Sequence, residues 1–260
     1  METDKIYCES NLDTMARMPD GFVDLTVTSP PYDNLREYKG YSFPFEEIAK
    51  ELYRVTKAGG IVVWVVGDAT VKGGETGTSF RQALHFMECG FNLHDTMIYE
   101  KPPRGAVGNN KSYWQSFEYM FVLCKGSPKT INLICDRRNK ESREGDNGTK
   151  RLENGDLQRL KRGGYSEYGR RTNVWRYGIG KGQSTKDVKA FEHPAIFPEK
   201  LANDHIVSWS NPNDLVYDPF MGSGTTAKMA LANGRHFIGS EISREYVDIA
   251  NERINNFLLQ

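Results

Sequence analysis

The run Ile61-Val62-Val63-Trp64-Val65-Val66 constrains this chain more than any other stretch. Six consecutive apolar residues without alternation suit a strand covered on both faces, which is the environment of a mainly parallel sheet flanked by helices. The run therefore predicts an α/β architecture, and its neighbours agree. Phe45, Ile48, Ala49, Leu52 and Val55 recur at helical spacing, and Lys57-Ala58-Gly59-Gly60 reads as that helix's stop. Phe22 to Val27, Leu93 to Glu100, Phe117 to Cys124, Leu215 to Tyr217 and His236 to Gly239 read as further strands. Helices are expected over residues 11–18, 79–89, 198–208, 225–232 and 244–257.

Composition narrows the class. At 260 residues the chain suits one large domain, or a core domain carrying an insertion. No apolar run approaches the roughly 18 residues of a membrane span, and the charged start (Glu2, Asp4, Lys5) is unlike a signal peptide. A cytoplasmic protein is expected. Cys8, Cys89, Cys124 and Cys135 are scattered without a C-x-x-C pair, and the histidines lack H-E-x-x-H spacing, so no metal site is expected.

Net charge is zero but unevenly spread: residues 137–189 hold 15 Lys/Arg against 7 Asp/Glu. Periodicity fails from 126 to about 190, a composition compatible with a disordered surface insertion. Against that reading, Tyr165, Tyr168, Trp175 and Tyr177 interleave with Arg162, Arg170, Arg171 and Arg176. Cations for phosphates beside rings for bases form a nucleic-acid surface. The polar loop with Arg36 and the Pro/Gly-rich loop with Arg104 and Lys111 are candidates for the same surface. The expected organisation is 1–125, an insertion at 126–190, and 191–260.

Two motifs stand at strand ends, where open α/β sheets bind ligands. The first, Thr28-Ser29-Pro30-Pro31-Tyr32, is stiff because proline fixes φ and lacks an N–H. It would hold a hydroxyl, backbone carbonyls and a ring in fixed relation. The second, Asp218-Pro219-Phe220-Met221-Gly222-Ser223-Gly224-Thr225-Thr226, is followed seventeen residues past Gly224 by Glu241. Close backbone approach at the glycines, with an acidic side chain for ribose hydroxyls, marks a nucleoside-cofactor unit. A P-loop is disfavoured because no Lys follows Gly224. A dinucleotide stays open, although a carboxylate before the glycines suits a cationic amine better than a pyrophosphate.

These two motifs, in this order with a basic insertion between them, resemble the beta-class DNA amino-methyltransferases. Leu12 to Tyr32, Ile61 to Asp68, His193 to Lys200 and Glu241 share the likeness, which spans nearly all of the chain except the insertion. One departure is Cys8-Glu9-Ser10-Asn11, where many relatives have Gly-Asp. The resemblance implies a Rossmann-like methyltransferase sheet, circularly permuted so that the catalytic half precedes the cofactor half, with residues 126–190 as target-recognition region. It implies S-adenosylmethionine as cofactor. Phe220, Gly222, Ser223, Gly224 and Glu241 would hold adenosine and ribose, with Asp218, Thr225, Thr226, Phe197, Pro198 and Lys200 near the methionine portion.

In this reading Ser29 and the Pro30 carbonyl accept hydrogen bonds from an exocyclic amine, Pro31 stiffens the turn, and Tyr32 stacks on the flipped base. Ser at the head of the turn is typical of relatives that make N4-methylcytosine, and Asp or Asn of those that make N6-methyladenine. Double-stranded DNA is the implied partner of a nucleoid-associated monomer or homodimer, with a restriction endonuclease as a second partner. RNA or protein as acceptor, and a non-catalytic nucleic-acid-binding module on the same scaffold, are the competing readings.

Overall fold

Eight strands form one mixed sheet in the computed structural model, which describes residues 1–31, 43–102, 113–139, 148–159, 166–193 and 196–259. In chain order they are β1 (Lys5–Tyr7), β2 (Val23–Thr28), β3 (Thr56–Val66), β4 (Asn92–Glu100), β5 (Phe117–Cys124), β6 (Val174–Arg176), β7 (Leu215–Asp218) and β8 (His236–Ser240). The spatial order is β1-β8-β7-β2-β3-β5-β4-β6. All pairs from β1 through β3 are parallel, β5 is antiparallel to both β3 and β4, and β6 closes the far edge parallel to β4.

Among the described residues six α-helices accompany the sheet: α1 (Asn11–Ala16), α2 (Phe45–Val55), α3 (Thr78–Glu88), α4 (Glu199–Trp209), α5 (Thr225–Ala232) and α6 (Arg244–Leu258). Val62, Trp64 and Val66 on alternate positions of β3 join a core with Ile48, Leu52 and Phe86 from α2 and α3. The intervening Ile61, Val63 and Val65 point to the opposite face by strand alternation, and α4 packs against β2 and β3. Trp64 has no exposed surface, and its Nε1 donates to Gln82 Oε1 at 2.8 Å, so its polar atom is buried with a partner.

β3 is longer than the sequence predicts. The glycines read as a helix stop lie inside the strand, and α2 ends directly at its cap, Thr56. A Cβ on Gly60 would sit 2.8 Å from the Asp24 carbonyl, so this glycine lets β2 and β3 approach across a register shift between Val23 and Leu25.

The chain divides into two compact units, residues 1–132 with 173–260, and Leu133–Thr172. The smaller unit contains two short antiparallel pairs, Arg137–Arg138 with Tyr168–Gly169 and Thr149–Arg151 with Leu157–Arg159. Residues 126–132 and 173–190, placed in the insertion by sequence, cluster with the larger unit. Among the described residues no helix is long and apolar enough to cross a membrane.

Candidate active site

The carboxyl ends of β2 and β7 are neighbours, so the two motifs distant in sequence meet at one cleft of about 1030 Å³. Ser29, Pro30 and Pro31 line it from the end of β2, and Asp218, Phe220, Gly222, Ser223, Thr225 and Thr226 line it from the end of β7. Glu241, just past β8, and Phe197 and Pro198, just before α4, complete the same wall.

The two motifs are bonded to each other. Thr28 Oγ1 donates to Asp218 Oδ1 at 2.6 Å, the Phe220 N–H donates to that same oxygen at 3.0 Å, and Thr226 Oγ1 donates to the Val27 carbonyl at 3.2 Å. Asp218 is 5% exposed; burial pushes its carboxyl above the ordinary aspartate range, opposed by hydrogen bonds from Thr28 and Phe220. Burial likewise raises Glu241, opposed by N–H bonds from Ser243 and Gly222. Its two oxygens accept from Gly222 at 3.0 Å and Ser243 at 2.9 Å, and the Ile242 N–H is a third backbone donor to the same carboxylate, which still has acceptor capacity left for one further donor.

Gly222 and Gly224 have φ of +50° and +80°. A Cβ on Gly222 would lie 3.0 Å from His193 Nε2, and one on Gly224 would lie 2.8 Å from the Cβ of Ala250. These glycines therefore let the loop pack closely against protein, whereas their sequence reading has the backbone approach a ligand. Gly224 caps α5 and is absent from the cleft lining.

Lys200 stands apart from the lining. Its ammonium pairs with Asp204 at 3.0 Å, one turn along α4, the side chain is 64% exposed, and it does not line the cleft. Trp175, expected on a nucleic-acid surface, is buried in the larger unit with its ring 4.7 Å from that of His205. Its place in β6 explains this, since strand pairing carries the ring inward. The neighbouring Arg176 is exposed and pairs with Glu100. In the smaller unit Arg170 is exposed, while Arg171 Nε shares 3.1 Å bonds with both oxygens of Asp136. Tyr32, Arg36, Arg104, Lys111 and Arg162 lie outside the described residues.

The cleft also gathers residues not assigned to it by sequence. Asn11 is buried, and its Nδ2 donates to the Pro219 carbonyl at 3.2 Å, tying α1 to the β7 motif. Glu9 lines the cleft and accepts from Thr14 Oγ1 at 2.7 Å. Both fall in the stretch that departs from the family pattern, and that departure was their signal. His193 packs edge-on against Tyr246 with centroids 4.3 Å apart. Asp68 lies just past β3 and accepts from the Ser79 N–H at 2.9 Å, so it fastens the first turn of α3 beside the cleft. Its strand-end position is visible in sequence; its partner is not.

Arranged in this way, the cleft offers fixed acceptors on one side and a buried and a partly buried carboxylate on the other. Such a site can hold a planar amine opposite a polar nucleoside-like molecule. The profile of the family described as DNA methylase matches residues 23–252. The chain is 61% identical over 240 residues to the orphan methyltransferase M.BamHII of Bacillus amyloliquefaciens, covering 91% of this chain and 90% of that one. It is 30% identical over 263 residues to the Type II methyltransferase M.BglII of Bacillus subtilis, covering 95% and 67% of the two chains. Among solved structures, the cytosine-N4-specific PvuII DNA methyltransferase matches with a TM-score of 0.69 at 21% identity over 99% of this chain and 92% of that one. The M1.HpyAVI–SAM complex matches with a TM-score of 0.63 at 23% identity over 96% and 98%. With both motifs lining one cleft and the family profile running from β2 into α6, the chain belongs to the DNA methylase family of N6 and N4 methyltransferases.

Proposed function

We propose that this methyltransferase moves a methyl group from S-adenosylmethionine to the N4 amine of a cytosine flipped out of double-stranded DNA. The observation that carries the reading is the shared cleft, in which the Ser29-Pro30-Pro31 turn stands beside Asp218, Phe220 and Glu241. The residues fit the donor. The buried carboxylate of Asp218 suits its ammonium, and the remaining acceptor capacity of Glu241 suits a ribose hydroxyl. The fold neighbour M1.HpyAVI was solved as a SAM complex, in keeping with this assignment.

When bound, the donor supplies a methyl group on a sulfonium, ready for direct transfer. The chain supplies alignment. The amine lone pair of cytosine is delocalised into the ring; N–H bonds to Ser29 Oγ and the Pro30 carbonyl would draw the nitrogen toward pyramidal geometry and localise it. So aimed, the nitrogen lone pair would face the methyl group that the bound donor would supply, and the surplus amine proton would pass to solvent. Orientation lowers the barrier, and the fixed acceptors stabilise positive charge growing on nitrogen.

The strand order supports the permuted arrangement, since C-terminal β7 and β8 sit between N-terminal β1 and β2. We assign the catalytic half to 1–125, the cofactor half to 191–260 and target recognition to the 126–190 region with its basic smaller unit. The 61% identical relative is named an orphan methyltransferase, which favours action without a restriction endonuclease. Digesting methylated DNA to nucleosides and identifying the product by mass spectrometry tests the reading. N4-methylcytosine is expected; N6-methyladenine would replace the acceptor base, and label only in RNA or protein would overturn the DNA assignment.

A further inference from the structure

Arg253 lies on α6 with its side chain fully buried and outside the cleft lining, yet its guanidinium ties together three segments, two of which line the cleft. Nη1 donates to the Ser223 carbonyl, to Ser223 Oγ at 3.0 Å and to Thr225 Oγ1 at 3.4 Å. Nε donates to Asp187 Oδ2 at 2.8 Å, and Nη2 donates to Glu199 Oε1 at 2.9 Å. Glu199 follows Pro198, which lines the cleft, and also takes Lys228 Nζ and Thr185 Oγ1, each at 2.8 Å. Two carboxylates and two cations thus form a neutral cluster around the loop that precedes α5.

A partly buried ion network of this kind is weak evidence for stability, because apolar residues of the same volume would often serve the fold as well. What the planar, permanently charged fork does provide is geometry, fixing several acceptors at set angles. Here those acceptors include the backbone and hydroxyl of Ser223, on the turn that Gly222 and Gly224 make possible. We propose that Arg253 is a positioning residue for the cofactor: it sets the Ser223–Thr225 turn against the Phe197-Pro198 wall, so that the methyl donor meets a preformed surface. The inference rests on the S-adenosylmethionine reading above.

The test is calorimetric titration of S-adenosylmethionine into the wild type, Arg253→Lys and Asp187→Asn, each below its own melting temperature. Lysine keeps the charge but loses the fork; the loss of one charge-assisted bond or more gives a dissociation constant raised about tenfold or beyond. DNA affinity without cofactor should not move. Asp187→Asn keeps an acceptor for Nε and should shift the constant in the same direction by less, and it carries the test if Arg253→Lys fails to fold. Unchanged cofactor affinity in a folded variant, whatever its melting temperature, overturns the positioning role. Absence of binding by the wild type would instead remove the cofactor reading and this role with it.

Discussion

At Ser29 the proposed chemistry is most exposed to test. Replacing it with Ala removes one fixed acceptor and leaves the β7 loop intact, so S-adenosylmethionine binding should persist while methylation falls about 10²–10³-fold. Full activity would exclude the hydroxyl from the reaction. Asp218 and Glu241 yield a pH prediction. Burial holds both folded-state pKa values above those of the unfolded chain, so the folded state keeps protons that the unfolded state has released. Their contribution to stability is therefore fully present below the unfolded carboxylate values and is lost as pH rises through the raised ones. Cofactor binding runs the other way, because amine and ribose are taken by the carboxylate forms. Binding in mildly acidic buffer should release protons, affinity should fall as pH drops through the raised values, and Asp218→Asn should reduce the release; calorimetry in two buffers of different ionisation enthalpy measures it. These residues were legible because each sits in a contiguous motif at a strand end. Arg253 was not, since only folding brings it from the last helix to that loop.

Elements set limits on that loop. Gly224 begins α5 with φ +80°, and its missing Cβ leaves room for Ala250 of α6. Gly224→Ala combines a left-handed conformation with a close contact to the neighbouring helix, and a destabilisation of about 1–3 kcal/mol is expected. Chemical denaturation measures it, and a loss below about 0.5 kcal/mol would mean that α5 and α6 can separate without cost. β6 makes a contrasting case. Trp175→Ala should cost about 3–5 kcal/mol as a core truncation, while DNA affinity below the melting temperature stays as in the wild type; a selective loss of DNA binding would restore the ring to the nucleic-acid surface. The error about Trp175 has a physical source. A three-residue edge strand leaves almost no periodicity, so the basic composition around it dominated the reading. The start of β3 was hidden for a related reason, because Gly59-Gly60 has the composition of a stop while serving as a close-approach point inside a strand. Helices such as α2, with three turns of clear apolar spacing, were readable from end to end.

Over the whole molecule, zero net charge conceals a division of labour between the two units. The smaller unit, Leu133–Thr172, is rich in Arg and Lys, and its described pairs of short strands expose Arg138, Lys150 and Arg159, with Arg170 just beyond them. Its two-stranded pairs are too short to stand by themselves as a core; such a unit is suited to presenting cations rather than to burying apolar surface. Neutralising these four side chains to Gln leaves the cleft of the larger unit untouched, so S-adenosylmethionine affinity should be unchanged. DNA affinity should fall, and the slope of log affinity against log salt should become shallower by about 0.9 for each of the four that contacts a phosphate. Both quantities follow from DNA titrations at several salt concentrations. An unchanged slope would place the phosphate contacts elsewhere on the chain. A changed slope with unchanged preference among DNA sequences would show that these four cations hold the backbone, leaving base recognition to other side chains.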